Sequence, residues 1–176
     1  MADDFYSDFT GQTYSKSEFI NILTKRIKKD LRNRNPLKLK QTYALYENGA
    51  KTQIISLFLE IIFKKRLDLV ILPSDSKLQA NNLDFLGDDC LETYISKRLG
   101  IFFKSQNISN LTDNKINILR TITYKELVQI KNIFNISGTL ENENLEFVEK
   151  LNEEYSQTKA SLLKSFNHID YLLRLK

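Results

Sequence analysis

The sequence predicts an all-α fold, a helical bundle of about five helices with a long C-terminal helix, because apolar residues recur at helical steps over most of the chain. Two further observations support it. Five Gly and two Pro (Pro36 and Pro73) leave little punctuation, whereas an all-β chain needs a turn every ~8–12 residues. No breaker interrupts residues 139–176.

Residues 1–14 (MADDFYSDFTGQTY) are acidic, aromatic and aperiodic, and read as a flexible arm that docks through Phe5, Tyr6 and Phe9. Residues 15–138 read as the helical bundle. Its first helix starts near Ser15, where Ser15-Lys-Ser-Glu18 fits a capping box. The stripe Phe19, Leu23, Ile27, Leu31 follows, and Pro36 ends it. A second helix is expected from about Leu37 to about Leu69, with Leu39, Tyr43, Tyr46, Ala50, Ile54, Leu57 and Ile61 on one face. Within it Gly49 is either a close helix contact or simply tolerated. Leu67–Leu72 could equally be a strand, since so short an apolar run fits both periods. Residues 73–82 are a loop by composition. A third helix is expected over Leu83–Phe103. A fourth is expected over Thr123–Asn135, opened by the capping box Thr123-Tyr-Lys-Glu126 and closed by Gly138. Residues 139–176 read as one helix, ~55 Å long at ~1.5 Å per residue. Its near-heptad seam contains Tyr155, Leu162, Phe166, Ile169 and Leu173 and either closes the bundle or pairs with a partner chain as a coiled coil. Both homo- and hetero-oligomers fit that seam.

The chain has 176 residues, 41% hydrophobic and 27% charged, ordinary values for one globular domain. Cys90 is the only cysteine. An intrachain disulfide is excluded, and the natural reading is a reducing compartment, cytoplasmic or nuclear. The N-terminus is acidic and lacks the apolar stretch of a secretory signal. The longest apolar run, Ile54–Phe63, falls well short of the ~20 residues that span a bilayer, so no membrane partner is expected.

Net charge is +4, and its distribution matters more than its total. Lys25, Arg26, Lys28, Lys29, Arg32, Arg34, Lys38 and Lys40 crowd one segment in which Asp30 is the only acid. Such a cluster either neutralises phosphates or acidic partners, with salt-dependent affinity, or is a solvated helix face. Lys64, Lys65 and Arg66 form a second patch. Two antiparallel helices would set it near the start of the first helix, away from the main cluster.

No catalytic motif is visible. Gly-rich phosphate loops, nucleophile elbows and zinc-protease signatures are missing. His168 reads as a structural or surface residue and Cys90 as a small core residue. One Cys and one His do not make a zinc site. The carboxylate pairs Asp88/Asp89, Glu141/Glu143 and Glu153/Glu154 diverge on a helix and suit solvent or dipole roles. No cofactor, no metal and no enzymatic activity are expected.

The Asp3–Phe9 stretch (DDFYSDF), a helix, and then Tyr43–Leu72 (YALYENGAKTQIISLFLEIIFKKRLDLVIL) resemble the helical domain of archaeal GINS subunits. The resemblance covers the first half of the chain. It implies a non-catalytic subunit of a replicative helicase assembly. With the basic segment, the expected function is a non-catalytic helical subunit of a nucleic-acid-processing complex, for which the resemblance implies DNA replication. The alternative is a protein–protein assembly factor acting through the C-terminal helix, without nucleic-acid binding.

Overall fold

The computed structural model describes residues 4–34, 37–74, 83–103, 115–140, 146–154 and 157–174. The fold is α/β, which overturns the all-α expectation. Residues 5–14 form a hairpin of β1 (Phe5–Ser7) and β2 (Gln12–Tyr14), and α1 (Lys16–Arg34) follows. The expected long second helix divides into β3 (Thr42–Tyr46), α2 (Gly49–Phe63) and β4 (Asp68–Leu72). The expected third helix divides into β5 (Asp84–Gly87) and α3 (Leu91–Phe103). Then come β6 (Ile116–Asn117) and α4 (Tyr124–Ile133). In place of one C-terminal helix there are two, α5 (Glu146–Glu154) and α6 (Thr158–Arg174). They pack on each other, with Gln157 in left-handed backbone between them.

The main sheet is parallel, in the order β4-β3-β5-β6. Its centre explains why the strands do not read as strands. Tyr43, Ala44 and Leu45 of β3 are all buried. A parallel strand covered on both faces has no polar alternation and merges with the helical pattern beyond it. Gly49 is the missed signal. It has φ +49° and turns the chain from β3 into α2, a conformation that Gly adopts at no steric cost.

Each face of the sheet carries helices. On one, α2 packs with α1 and α4 around Phe19, Leu23, Ile27, Ile54, Phe58 and Leu127. On the other, α3 packs with α5 and α6 around Leu91, Ile95, Val148, Leu163 and Phe166. Both capping signals mark true helix starts. Thr123 and Glu126 form the full reciprocal box at α4. At α1, Glu18 accepts from both the Ser15 N–H (3.1 Å) and its hydroxyl (2.6 Å), which holds the Glu18 carboxyl below its ordinary value.

Buried charge ties the layers together. The Arg120 guanidinium, fully buried, donates to both Asp30 carboxylate oxygens (3.1 and 2.9 Å), to Tyr94 (2.8 Å) and to Asn167 (2.6 Å). This links α1, α3 and α6. Burial alone would raise the Asp30 carboxyl, but Arg120 and Arg34 outweigh it and hold it below the ordinary range. A second knot joins Lys159 to Glu92 (2.7 Å) and Glu149 (2.8 Å).

Candidate functional site

The strand order creates a crevice. From β3 the chain crosses through α2 to β4, and from β5 it crosses through α3 to β6, in the opposite direction. Right-handed crossovers place the two helices on opposite faces. Between the carboxyl ends of β3 and β5 the sheet therefore has a switch point, the usual ligand position in open α/β sheets. The N-termini of α2 and α3 both open onto it, and helix N-termini favour negative charge.

The β3–α2 turn is held from three sides. The Asn48 N–H donates to Thr52 Oγ1 (2.7 Å), which in turn donates to the Tyr46 carbonyl (3.3 Å). The Asn48 side-chain amide donates to the Asp88 carboxylate, bridging the ends of β3 and β5. The Ala50 N–H donates to the Thr139 carbonyl at 3.2 Å. Gly49 makes that approach possible, since a Cβ there would lie 2.9 Å from the Thr139 oxygen. Gly138, at φ +95°, lies against the same turn. One α2 donor is thus already taken by the chain's own backbone.

Lys51, in the first turn of α2, is only 5% exposed. Its N–H donates to the Asn48 carbonyl at 3.1 Å, but among the described residues its ammonium has no hydrogen-bond or ion-pair partner. Its charge reaches across to Cys90, at the start of α3. Burial, reinforced by Glu92, pushes the Cys90 thiol up to about 11, against the opposing pull of Thr93 and Lys51. Cys90 is therefore a protonated thiol at neutral pH, in contact with Thr93 Oγ1 at 3.3 Å, and not a nucleophile. The Leu91 N–H donates to the Ile122 carbonyl (2.8 Å), and the neighbouring Thr121 hydroxyl is buried with no partner among the described residues. Lys51 is an unneutralised cation between two helix N-termini, which suits a phosphate-bearing ligand.

The basic segment lies elsewhere. Arg26 and Arg34 turn inward. Arg26 pairs with buried Glu126 at 2.7 Å and stacks over Phe9, while Arg34 pairs with Asp30 and donates to the Asn117 carbonyl (3.0 Å). Lys25, Lys28, Lys29, Arg32, Lys38 and Lys40 are exposed. Lys64–Arg66 lies beside Lys40, whose N–H donates to the Arg66 carbonyl at 3.1 Å. The proposed partner seam faces inward, because Phe166 is buried and Leu162 and Ile169 pack against the α3–α5–α6 core. Tyr155 and the Leu173 side chain lie outside the described residues. His168 is exposed on α6. Among the described residues no helix is long and apolar enough to cross a membrane. Nor does any group of three or more His, Cys, Asp or Glu side chains among them suit a metal ion.

Comparison with family profiles and with curated proteins finds no match. Among solved structures the chain is similar to the U34-tRNA thiolase NcsA from Methanococcus maripaludis, solved with its 4Fe–4S cluster. The TM-score is 0.73 at 10% identity, over 94% of this chain and 83% of that one. At that identity the likeness shows the fold alone.

It is nonetheless enough to correct the sequence reading. The GINS resemblance fails, because its acidic D-F-Y element leads into a hairpin and its long central helix is a β–α–β unit. The non-catalytic replication subunit inferred from it falls as well. So does the expectation that the chain is no enzyme, because this fold is one that a tRNA-modifying enzyme uses. Absence of familiar motifs is weak evidence when the site is built from one buried lysine and two helix ends. Asn48 and Lys51 look ordinary in sequence, Asp88 reads there as a solvent or dipole carboxylate, and only Gly49 hinted at the turn that gathers them.

Proposed function

We propose that the chain is an RNA-modifying enzyme of the tRNA-acting kind, with a nucleotide phosphate bound in the crevice between β3 and β5. The observation that carries this is Lys51, buried and with its ammonium unpartnered among the described residues at the switch point. A cation on a side chain that is only 5% exposed, with no counter-ion among the described residues, would attract an anionic ligand. Asn48 and Asp88 would fix the turn, and the Lys51 ammonium would balance phosphate charge. RNA is the proposed substrate, supported by the likeness to a tRNA thiolase and by the exposed lysines and Arg32 of the 25–40 segment. Action on tRNA would place the protein inside the cell.

The neighbour's iron–sulfur cluster does not fit these residues. Such clusters are held by several cysteine thiolates, and the sequence has one cysteine, buried and protonated. No step through a cluster is assigned.

Calorimetric titration with ATP tests the reading. The wild-type protein should bind, and Lys51→Met should weaken binding at least tenfold while the protein stays folded. A wild-type protein that binds no nucleotide, or a folded Lys51→Met variant that binds equally well, would contradict it.

A further inference from the structure

We propose that the amino-end edge of the sheet, opposite the crevice, is a separate surface that grips the phosphate backbone of a folded RNA. The proposal rests on the RNA reading above but uses different residues. Two basic segments that are far apart in sequence meet here. The Lys40 N–H to Arg66 carbonyl bond (3.1 Å) joins the turn before β3 to the turn between α2 and β4. Lys38, Lys40, Lys64, Lys65 and Arg66 are all exposed, and none has a salt bridge among the described residues. The exposed acids nearby are Glu60, Asp68 and Asp84, the last accepting from the Gln41 side-chain amide, and they leave the corner net positive.

Backbone geometry singles out the same place. Five described non-glycine residues have positive φ, and three of them are Lys40 (62°), Lys64 (50°) and Lys65 (61°). Lysine gains nothing from left-handed backbone, which Gly or Asn adopts more readily. Lys64 is the left-handed C-cap of α2, its N–H donating to the Glu60 carbonyl at 2.8 Å, a type of position that Gly or Asn fills most readily. The chain keeps lysines where glycine would be easier for the fold.

The chemistry fits the backbone of a duplex region better than unpaired bases. The residues flanking the corner, 37–42 and 64–68, contain no aromatic ring, whereas binders of single strands stack bases on aromatic side chains. Duplex RNA is recognised mostly through shape, 2′-hydroxyl and phosphate contacts. A lipid surface fits less well. Leu39 and Ile61 are exposed, but they sit on separate segments and make no continuous apolar face of the kind a membrane-binding helix buries. A five-residue strand such as β3 separates the two edges by ~16 Å at ~3.3 Å per residue. An RNA whose folded body rests on the basic corner can therefore send an unpaired arm to the crevice.

The test is fluorescence anisotropy with a labelled tRNA transcript between 50 and 200 mM salt, on wild-type protein and on Lys64→Gly/Lys65→Gly. Glycine keeps the left-handed turn and removes only the charges, so the variant should melt no lower than wild type. Its RNA affinity should fall about tenfold and its salt slope flatten by about one to two. A folded variant with unchanged affinity and slope would overturn the proposal. So would loss of binding to phosphatidylserine vesicles with RNA binding intact. Lys51→Met, assayed alongside, should keep RNA binding. Corner-dependent RNA binding in a protein that binds no nucleotide would uphold the corner and remove the crevice reading. Nucleotide binding with corner-independent RNA affinity would do the reverse.

Discussion

The two edges of the sheet use positive charge in opposite ways. At the carboxyl edge one lysine, Lys51, is buried between two helix N-termini and its ammonium lacks a partner among the described residues. At the amino edge lysines and arginines are many, exposed and held on turns that include left-handed backbone. The difference teaches that charge density along a sequence and charge significance in a fold are separate quantities. Exposed cations are screened and individually weak. A single cation on a nearly enclosed side chain, with no counter-ion among the described residues, calls for an explanation.

A third class of charge sharpens the contrast, the buried groups that are fully paired. Asp30→Ala should have the largest effect on the fold. It leaves the buried Arg120 guanidinium without its bidentate partner and should cost about 3–5 kcal/mol in denaturant unfolding. The same carboxyl sets a pH dependence. Its folded pKa lies below the unfolded value. Its stabilisation is therefore fully present above the unfolded value of ~3.9 and is lost as pH falls through the lower folded pKa. Asp30→Asn should show a flatter stability profile over that acid range, and acid titration monitored by circular dichroism would read it.

Lys51→Met should act in the other direction. Removing that lone charge should leave the fold at least as stable as wild type while removing nucleotide binding. A fall in melting temperature would mean that Lys51 has a structural partner and would break the comparison. At the amino edge, Lys64→Gly should stabilise by up to about 1 kcal/mol through relief of left-handed strain. Lys28→Ala, on the exposed side of α1, should change stability by less than ~0.5 kcal/mol.

The helix signals were legible where local chemistry decides the structure. Ser15/Glu18 and Thr123/Glu126 each mark a helix start, and the Phe19–Leu31 stripe is the buried face of α1. The sheet was not legible, for a definite physical reason. Thr42–Tyr46 is sandwiched between helices, so its run of apolar residues continues the pattern of α2 without a polar break. The strand alternative at Leu67–Leu72 was open because that run is short, and β4 occupies it. Of the basic segment, sequence showed the charges but not their directions. Arg26 and Arg34 face carboxylates donated by α4 and by α1 itself, and only folding reveals that. The crevice needs long-range information of the same kind, since Asn48 and Asp88 are forty residues apart and meet only because β3 and β5 are neighbours.

The most direct test is an amide chemical-shift titration of the isotope-labelled protein with ATP. The account predicts that the largest shifts cluster at Asn48–Thr52 and Asp88–Thr93, and that they vanish in Lys51→Met. Shifts confined to Lys38–Lys40 and Lys64–Arg66, or no shifts at all, would contradict it.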